Sequence, residues 1–122
     1  MDPRIQNVLM QMERNFHRKL PLNKIAQSVN LSSWHLHHLF KAETGMSPSK
    51  YQKQLRMQKA RHLLETTFLT IKEIMLQTGL RDESHFIRDF KRAYSMTPVR
   101  YRRHFLAGLS GGRSIKQSSK IG

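Results

Sequence analysis

Residues 22–52 read LNKIAQSVNLSSWHLHHLFKAETGMSPSKYQ, and residues 71–102 read IKEIMLQTGLRDESHFIRDFKRAYSMTPVRYR. The two stretches are one pattern written twice. Ile25 aligns with Ile74, Leu31 with Leu80, Leu36 with Phe86, Phe40 with Phe90 and Lys41 with Lys91. Met46, Pro48 and Tyr51 align with Met96, Pro98 and Tyr101. The spacing is 49 residues from Ile25 to Ile74 and 50 from Phe40 to Phe90, so the second copy carries one extra residue in its turn. Internal repetition at this length marks a supersecondary unit used twice.

Each copy has the punctuation of a short helix, a tight turn, a second helix and a Pro-started third. In the first, Leu22 and Asn23 suggest a staple and cap for a helix through Val29. Asn30 suits a left-handed stop, and Leu31 turns inward after it. Ser32 caps the next helix, whose inward positions are Leu36, Leu39 and Phe40. Gly45 ends it, and Ser47-Pro48 opens a long helix to about Glu65. Its buried candidates are Tyr51, Leu55, Met57, Ala60, Leu63 and Leu64.

In the second copy, Thr70 and Glu73 have the spacing of a capping box. Ile71, Ile74 and Met75 face inward, Gly79 supplies a positive φ and Leu80 plugs the turn. Asp82 caps the next helix, with Phe86 and Phe90 inward. Thr97-Pro98 opens the last helix, which carries Tyr101 and Phe105. Ahead of both copies, Asp2 and Pro3 start a helix whose stripe is Ile5, Val8, Leu9, Met12 and Phe16, closed by Pro21. The expected fold is all-α, with seven helices.

Composition narrows the function. Twenty-two Lys+Arg against eight Asp+Glu give +14 over 122 residues. Arg113, Lys116 and Lys120 hold three of these charges, so residues 1–107 keep 19 basic against 8 acidic residues, or +11. Self-repulsion of that size costs stability, and a polyanionic partner is its simplest account. There is no cysteine, so neither a disulfide nor a thiolate metal site is available. No apolar run approaches the roughly 20 residues of a membrane helix. Residues 1–14 lack a signal-peptide core, so the chain reads as soluble and cytoplasmic.

A helix-turn-helix sets its second helix proud of the body so that the outer face enters the major groove of DNA. The first such helix turns Ser33, Trp34, His35, His37, His38 and Lys41 outward. The second presents Arg81, Glu83, Ser84, His85 and Arg88. Arg pairs guanine acceptors, Glu accepts from cytosine, and Ser and His do either in part. Ser32, Ser47, Lys50, Lys91, Thr97 and Arg100 are candidates for phosphate contacts at helix ends.

On these residues the chain resembles the AraC/XylS family of bacterial transcription regulators. The first copy carries Ala26, Leu31, Ser32, Ser33, Leu36, Leu39, Phe40, Lys41, Gly45, Met46, Ser47, Pro48 and Tyr51. The second carries Ile71, Glu73, Ile74, Gly79, Leu80, Ser84, Phe86, Phe90, Lys91, Thr97, Pro98, Tyr101 and Arg102. Between them stand Arg56, Met57, Ala60, Leu63 and Leu64. The resemblance implies two helix-turn-helix subdomains joined by a long linking helix, with recognition helices in successive major grooves. The resemblance covers roughly residues 5–105; from Gly108 the composition turns to Gly, Ser, Lys and Gln, so the chain divides into a DNA-binding domain over 1–107 and a disordered basic tail over 108–122. Within the domain the first unit is about 5–52, the linking helix about 48–65 and the second unit about 70–105. Trp34, His37 and His38, and Glu83, Ser84, His85 and Arg88, match the family's base-contacting positions. Double-stranded promoter DNA is the implied partner, and RNA polymerase a candidate second one. An effector or dimerising domain is expected outside this chain; the effector ligand stays open.

Three positions depart from the family pattern. Met75 replaces a small residue, Leu80 an aromatic plug, and Ser95 the glycine after the second recognition helix. A left-handed Ser95 would be strained.

Other chemistry has little footing. There is no Gly-rich phosphate loop, nucleophile elbow or carboxylate pair, so neither an enzyme nor a cofactor is expected. His35, His37 and His38 lack a carboxylate to orient them, and no metal is expected there. Trp34 can pack on the first helix or reach DNA, and Arg56 can pair with a carboxylate or a phosphate. A non-specific architectural nucleic-acid binder and a helical protein-interaction module remain as alternatives.

Overall fold

The computed structural model describes residues 1–111, with side chains through Leu109. Seven α-helices and no strand occur among the described residues: α1 (Pro3–Arg14), α2 (Leu22–Ser28), α3 (Ser33–Thr44), α4 (Pro48–Thr66), α5 (Ile71–Thr78), α6 (Glu83–Tyr94) and α7 (Pro98–Gly111). The chain divides into two compact units, Met1–Arg56 and the residues from Met57 onward. The boundary falls within α4.

The first unit is built on α1, α2 and α3. Asp2 caps α1 by accepting from the Arg4 amide at 2.8 Å, with Pro3 in the first turn. Ile5, Val8 and Met12 are its buried stripe. They pack with Ile25, Ala26, Val29, Leu31, Leu36 and Phe40. The helix stops at Arg14, two residues short of Phe16, and Asn15 at its C-cap donates both its backbone amide (3.0 Å) and its side-chain amide (3.2 Å) to the Gln11 carbonyl. Phe16 is half-buried beyond it.

Asn23 does not cap α2. The helix begins one residue earlier, at Leu22 after Pro21, with no side-chain cap. Asn23 instead accepts from the Ser33 hydroxyl.

The second unit repeats the plan with its own core: Met57, Ala60, Leu64, Ile74, Met75, Phe86, Phe90 and Tyr101. Met75 is accommodated there at 6% exposure, and Leu80 is half-buried against the cluster. The capping box is complete: the Glu73 amide donates to Thr70 Oγ1 at 3.1 Å, and the Thr70 amide to Glu73 Oε1 at 2.9 Å. These bonds hold the Glu73 carboxyl below its usual range. One aromatic pair recurs in both units. Phe40 meets Tyr51 edge-on at 5.5 Å between ring centroids, and Phe90 meets Tyr101 in the same way at 5.5 Å.

α7 continues to Gly111, past the composition change expected to end it at Gly108. Gly108 is buried, and a helix already nucleated extends at small cost per residue. The rest of the expected tail, residues 112–122, lies outside the described residues.

Candidate nucleic-acid interface

Each candidate surface depends on how sharply the chain turns before its second helix. In the first unit Asn30 is left-handed at φ 60°, and the Leu31 amide reaches the Ala26 carbonyl at 2.9 Å. Leu31 then drops into the core. In the second, Gly79 takes φ 80° and the Leu80 amide bonds Met75 O at 3.0 Å. Both turns satisfy carbonyls that a helix end leaves open.

α3 starts on Ser32, whose hydroxyl accepts from the His35 amide at 3.1 Å. Leu36 and Phe40 are fully buried and anchor its inner face. Ser33, Trp34, His35, His37, His38 and Lys41 are all exposed. Trp34 is 67% exposed and does not pack into the core; its indole stacks on His38, 3.9 Å between ring centroids. His38 Nδ1 sits 2.8 Å from the Trp34 carbonyl. Trp34, His38 and Lys41 thus form a ridge at helical spacing.

α6 starts on Asp82, whose Oδ1 accepts from the His85 amide at 2.9 Å. Phe86 and Phe90 hold the inner face. Arg81, Glu83, Ser84, His85 and Arg88 are exposed. Ser84, Arg88 and Lys91 occupy the ridge that Trp34, His38 and Lys41 occupy in α3. Two exposed side chains of α6 have acidic neighbours. His85 Nδ1 lies 3.4 Å from Asp82 Oδ2, and Arg88 Nε lies 3.4 Å from Asp89 Oδ1. Asp82 therefore caps the helix and turns the histidine. Only its i,i+3 spacing from His85 hints at this in the sequence.

The phosphate candidates divide. Lys50, Lys91 and Arg100 are exposed. The Ser47 and Thr97 hydroxyls, both half-buried, accept from the Lys50 amide at 3.2 Å and the Arg100 amide at 3.3 Å. Ser32 is likewise a cap, though exposed. Each hydroxyl still has its own hydrogen to give. Arg56 is not placed with these. Its Nε donates to Phe16 O at 2.7 Å and its Nη2 to Arg18 O at 2.8 Å, both carbonyls beyond the end of α1.

A family model described as a helix-turn-helix domain matches residues 25–104, both repeated units. The chain belongs to the AraC-type helix-turn-helix family. This is a family of DNA-binding domains and not of enzymes. The AraC-type domain is 33% identical over 101 residues to the lactose operon transcription activator of Staphylococcus xylosus, covering 83% of this chain and 36% of that protein. It is 33% identical over 97 residues to the transcriptional activator RhaS of an Enterobacter strain, covering 80% and 35%. The chain thus spans about a third of the length of the curated relatives it matches. Among solved structures, an AraC-type transcriptional regulator from Chromobacterium violaceum superposes with TM-score 0.78 at 33% identity, covering 84% of this chain and 92% of that one. The DNA-binding domain of AdpA, solved with a target DNA, shares the fold with TM-score 0.77 at 23% identity, covering 88% and 96%. No helix among the described residues is long and apolar enough to cross a membrane.

Proposed function

We propose that this domain binds double-stranded DNA in a sequence-dependent manner and thereby regulates transcription. Each of α3 and α6 reads one segment of major groove. The observation that carries this reading is the duplicated ridge: Trp34, His38 and Lys41 on one helix, Ser84, Arg88 and Lys91 on the other. All six are exposed, opposite buried Leu36/Phe40 and Phe86/Phe90. A hydrophobic inner face with groove-facing polar side chains is what base readout requires. The +14 charge supplies the sequence-independent part of the affinity. Ser33, His35 and His37 belong to the first reading surface, and Arg81, Glu83 and His85 to the second. Ser32, Ser47, Lys50, Thr97 and Arg100 hold phosphates alongside.

The relatives titled transcription activators support promoter DNA as the target; on the same reading the cytoplasm is the place of action and RNA polymerase a second partner. Selection from a random duplex pool tests the reading. A discrete motif should emerge, and log affinity for it should fall with log salt by about 0.9 per phosphate neutralised. A pool that stays random, with affinity that salt still weakens, would favour the non-specific architectural binder. A salt slope near zero would end the nucleic-acid reading and leave the protein-interaction module.

A further inference from the structure

The geometry points to a base class for His38: an exocyclic amino group, N4 of cytosine or N6 of adenine, accepted by Nε2. The inference rests on the DNA reading above and goes beyond it in assigning chemistry to one atom. Nδ1 lies 2.8 Å from the Trp34 carbonyl oxygen. A carbonyl oxygen only accepts, so Nδ1 carries the hydrogen of that bond. In a neutral imidazole the other nitrogen then has a lone pair and no hydrogen. The ring is also held in its plane. The Trp34 indole lies against it, 3.9 Å between centroids and 30° from parallel, and His37 approaches edge-on at 5.6 Å. With Nδ1 turned to the helix's own backbone, Nε2 is the edge left for a ligand, on a side chain exposed to solvent.

In the major groove the hydrogen-bond donors are the amino groups of cytosine and adenine; guanine N7 and O6, adenine N7 and thymine O4 all accept. An acceptor at Nε2 pairs with the first kind and is repelled by the second. The repeat sharpens the contrast. Arg88 holds the equivalent position in α6, and a guanidinium has donors only. The two copies present opposite chemistry at one place on the helix: an acceptor on α3, a donor on α6.

The test has two readouts. Nitrogen NMR of the free protein at mildly alkaline pH, with the signal assigned by its loss in His38→Ala, should show hydrogen on Nδ1 and a bare Nε2. Hydrogen on Nε2 overturns the inference. On DNA, His38→Ala should relax the selected motif at one base pair, costing about tenfold in discrimination there. At that pair, methylating the amino group (N6-methyladenine or N4-methylcytosine) should cost wild-type binding as much as the substitution does. Removing the purine acceptor with a 7-deaza base should cost nothing. The reverse pattern, or a motif unchanged by His38→Ala, overturns this inference and leaves the DNA reading standing. Failure to select any motif overturns both.

Discussion

Gln52 and Arg102 stand at equivalent places in the two copies, and each donates to carbonyls around the end of the helix that precedes its copy. Gln52 Nε2 reaches Phe16 O at 3.3 Å and Arg18 O at 2.7 Å. Arg102 reaches Leu64 O at 3.1 Å with Nε and Leu69 O at 2.7 Å with Nη1. In the first unit Arg56 shares both acceptors; in the second, Leu106 stands at the corresponding position and Arg102 makes both bonds. Arg102→Ala should therefore destabilise by about 1.5–3 kcal/mol, the range for bonds from a charged donor. Arg102→Gln should recover part of that, because an amide does the same work at Gln52. Urea midpoints at constant slope decide it; equal midpoints for wild type and Arg102→Ala would sink the idea.

Alkaline pH should loosen the second unit. Burial, then the hydrogen bond to Glu65 and then that carboxylate's charge, raise the Tyr101 hydroxyl well above its ordinary range. A group whose folded pKa is raised contributes stability that is complete below the unfolded value, about 10 for tyrosine, and is lost as pH rises beyond it. Thermal melts across that window should fall more steeply for wild type than for Tyr101→Phe. Parallel curves would show that Tyr101 does not carry the effect.

Ser95 is left-handed at φ 65°, where the first copy has Gly45 at φ 82°. An L-residue pays about 1–2 kcal/mol in that conformation, against about 0.5–1 kcal/mol of extra chain entropy lost by glycine. Ser95→Gly should stabilise by roughly 0.5 kcal/mol. Gly45→Ala should cost about 1 kcal/mol from backbone strain alone, since a Cβ there meets nothing within 4 Å. Opposite signs in denaturant midpoints are the expected result; a destabilised Ser95→Gly would contradict it.

Base and phosphate contacts should separate by mutation. His85→Ala should relax preference at one or two base pairs by about 1–3 kcal/mol, whereas Lys41→Ala should weaken binding to all duplexes alike and reduce the salt slope by about one. Binding to the selected duplex and to a scrambled one, each over a salt series, provides the measurement. An unchanged motif for His85→Ala removes that residue from the reading surface.

Most of the fold was legible in the chain because its signals act within one helical turn. The caps at Asp2, Ser32, Thr70 and Asp82 satisfy amides two or three residues away. The inward stripe from Leu36 to Phe40, and its copy from Phe86 to Phe90, follow directly from helical periodicity. The same periodicity leaves Trp34, His38, Arg88 and their neighbours on the outer faces, so the candidate surface was legible too. The exceptions were two helix ends: α1 stops before Phe16, and α2 begins ahead of Asn23.

Tertiary structure decided which groups each polar side chain answers. Arg56 bonds backbone carbonyls 38 and 40 positions away, and Tyr101 meets Glu65 across 36. Ser33, exposed on α3, donates its hydroxyl to Asn23 on the preceding helix. Periodicity carries no information about such partners, because they are chosen by which loop lies within about 3 Å once the core has closed. The sequence by itself determined two helix-turn-helix units and their outward residues. Only the packed chain brought Arg102 to the Leu64 and Leu69 carbonyls, because acceptors 38 and 33 positions away come within reach only once the core has closed.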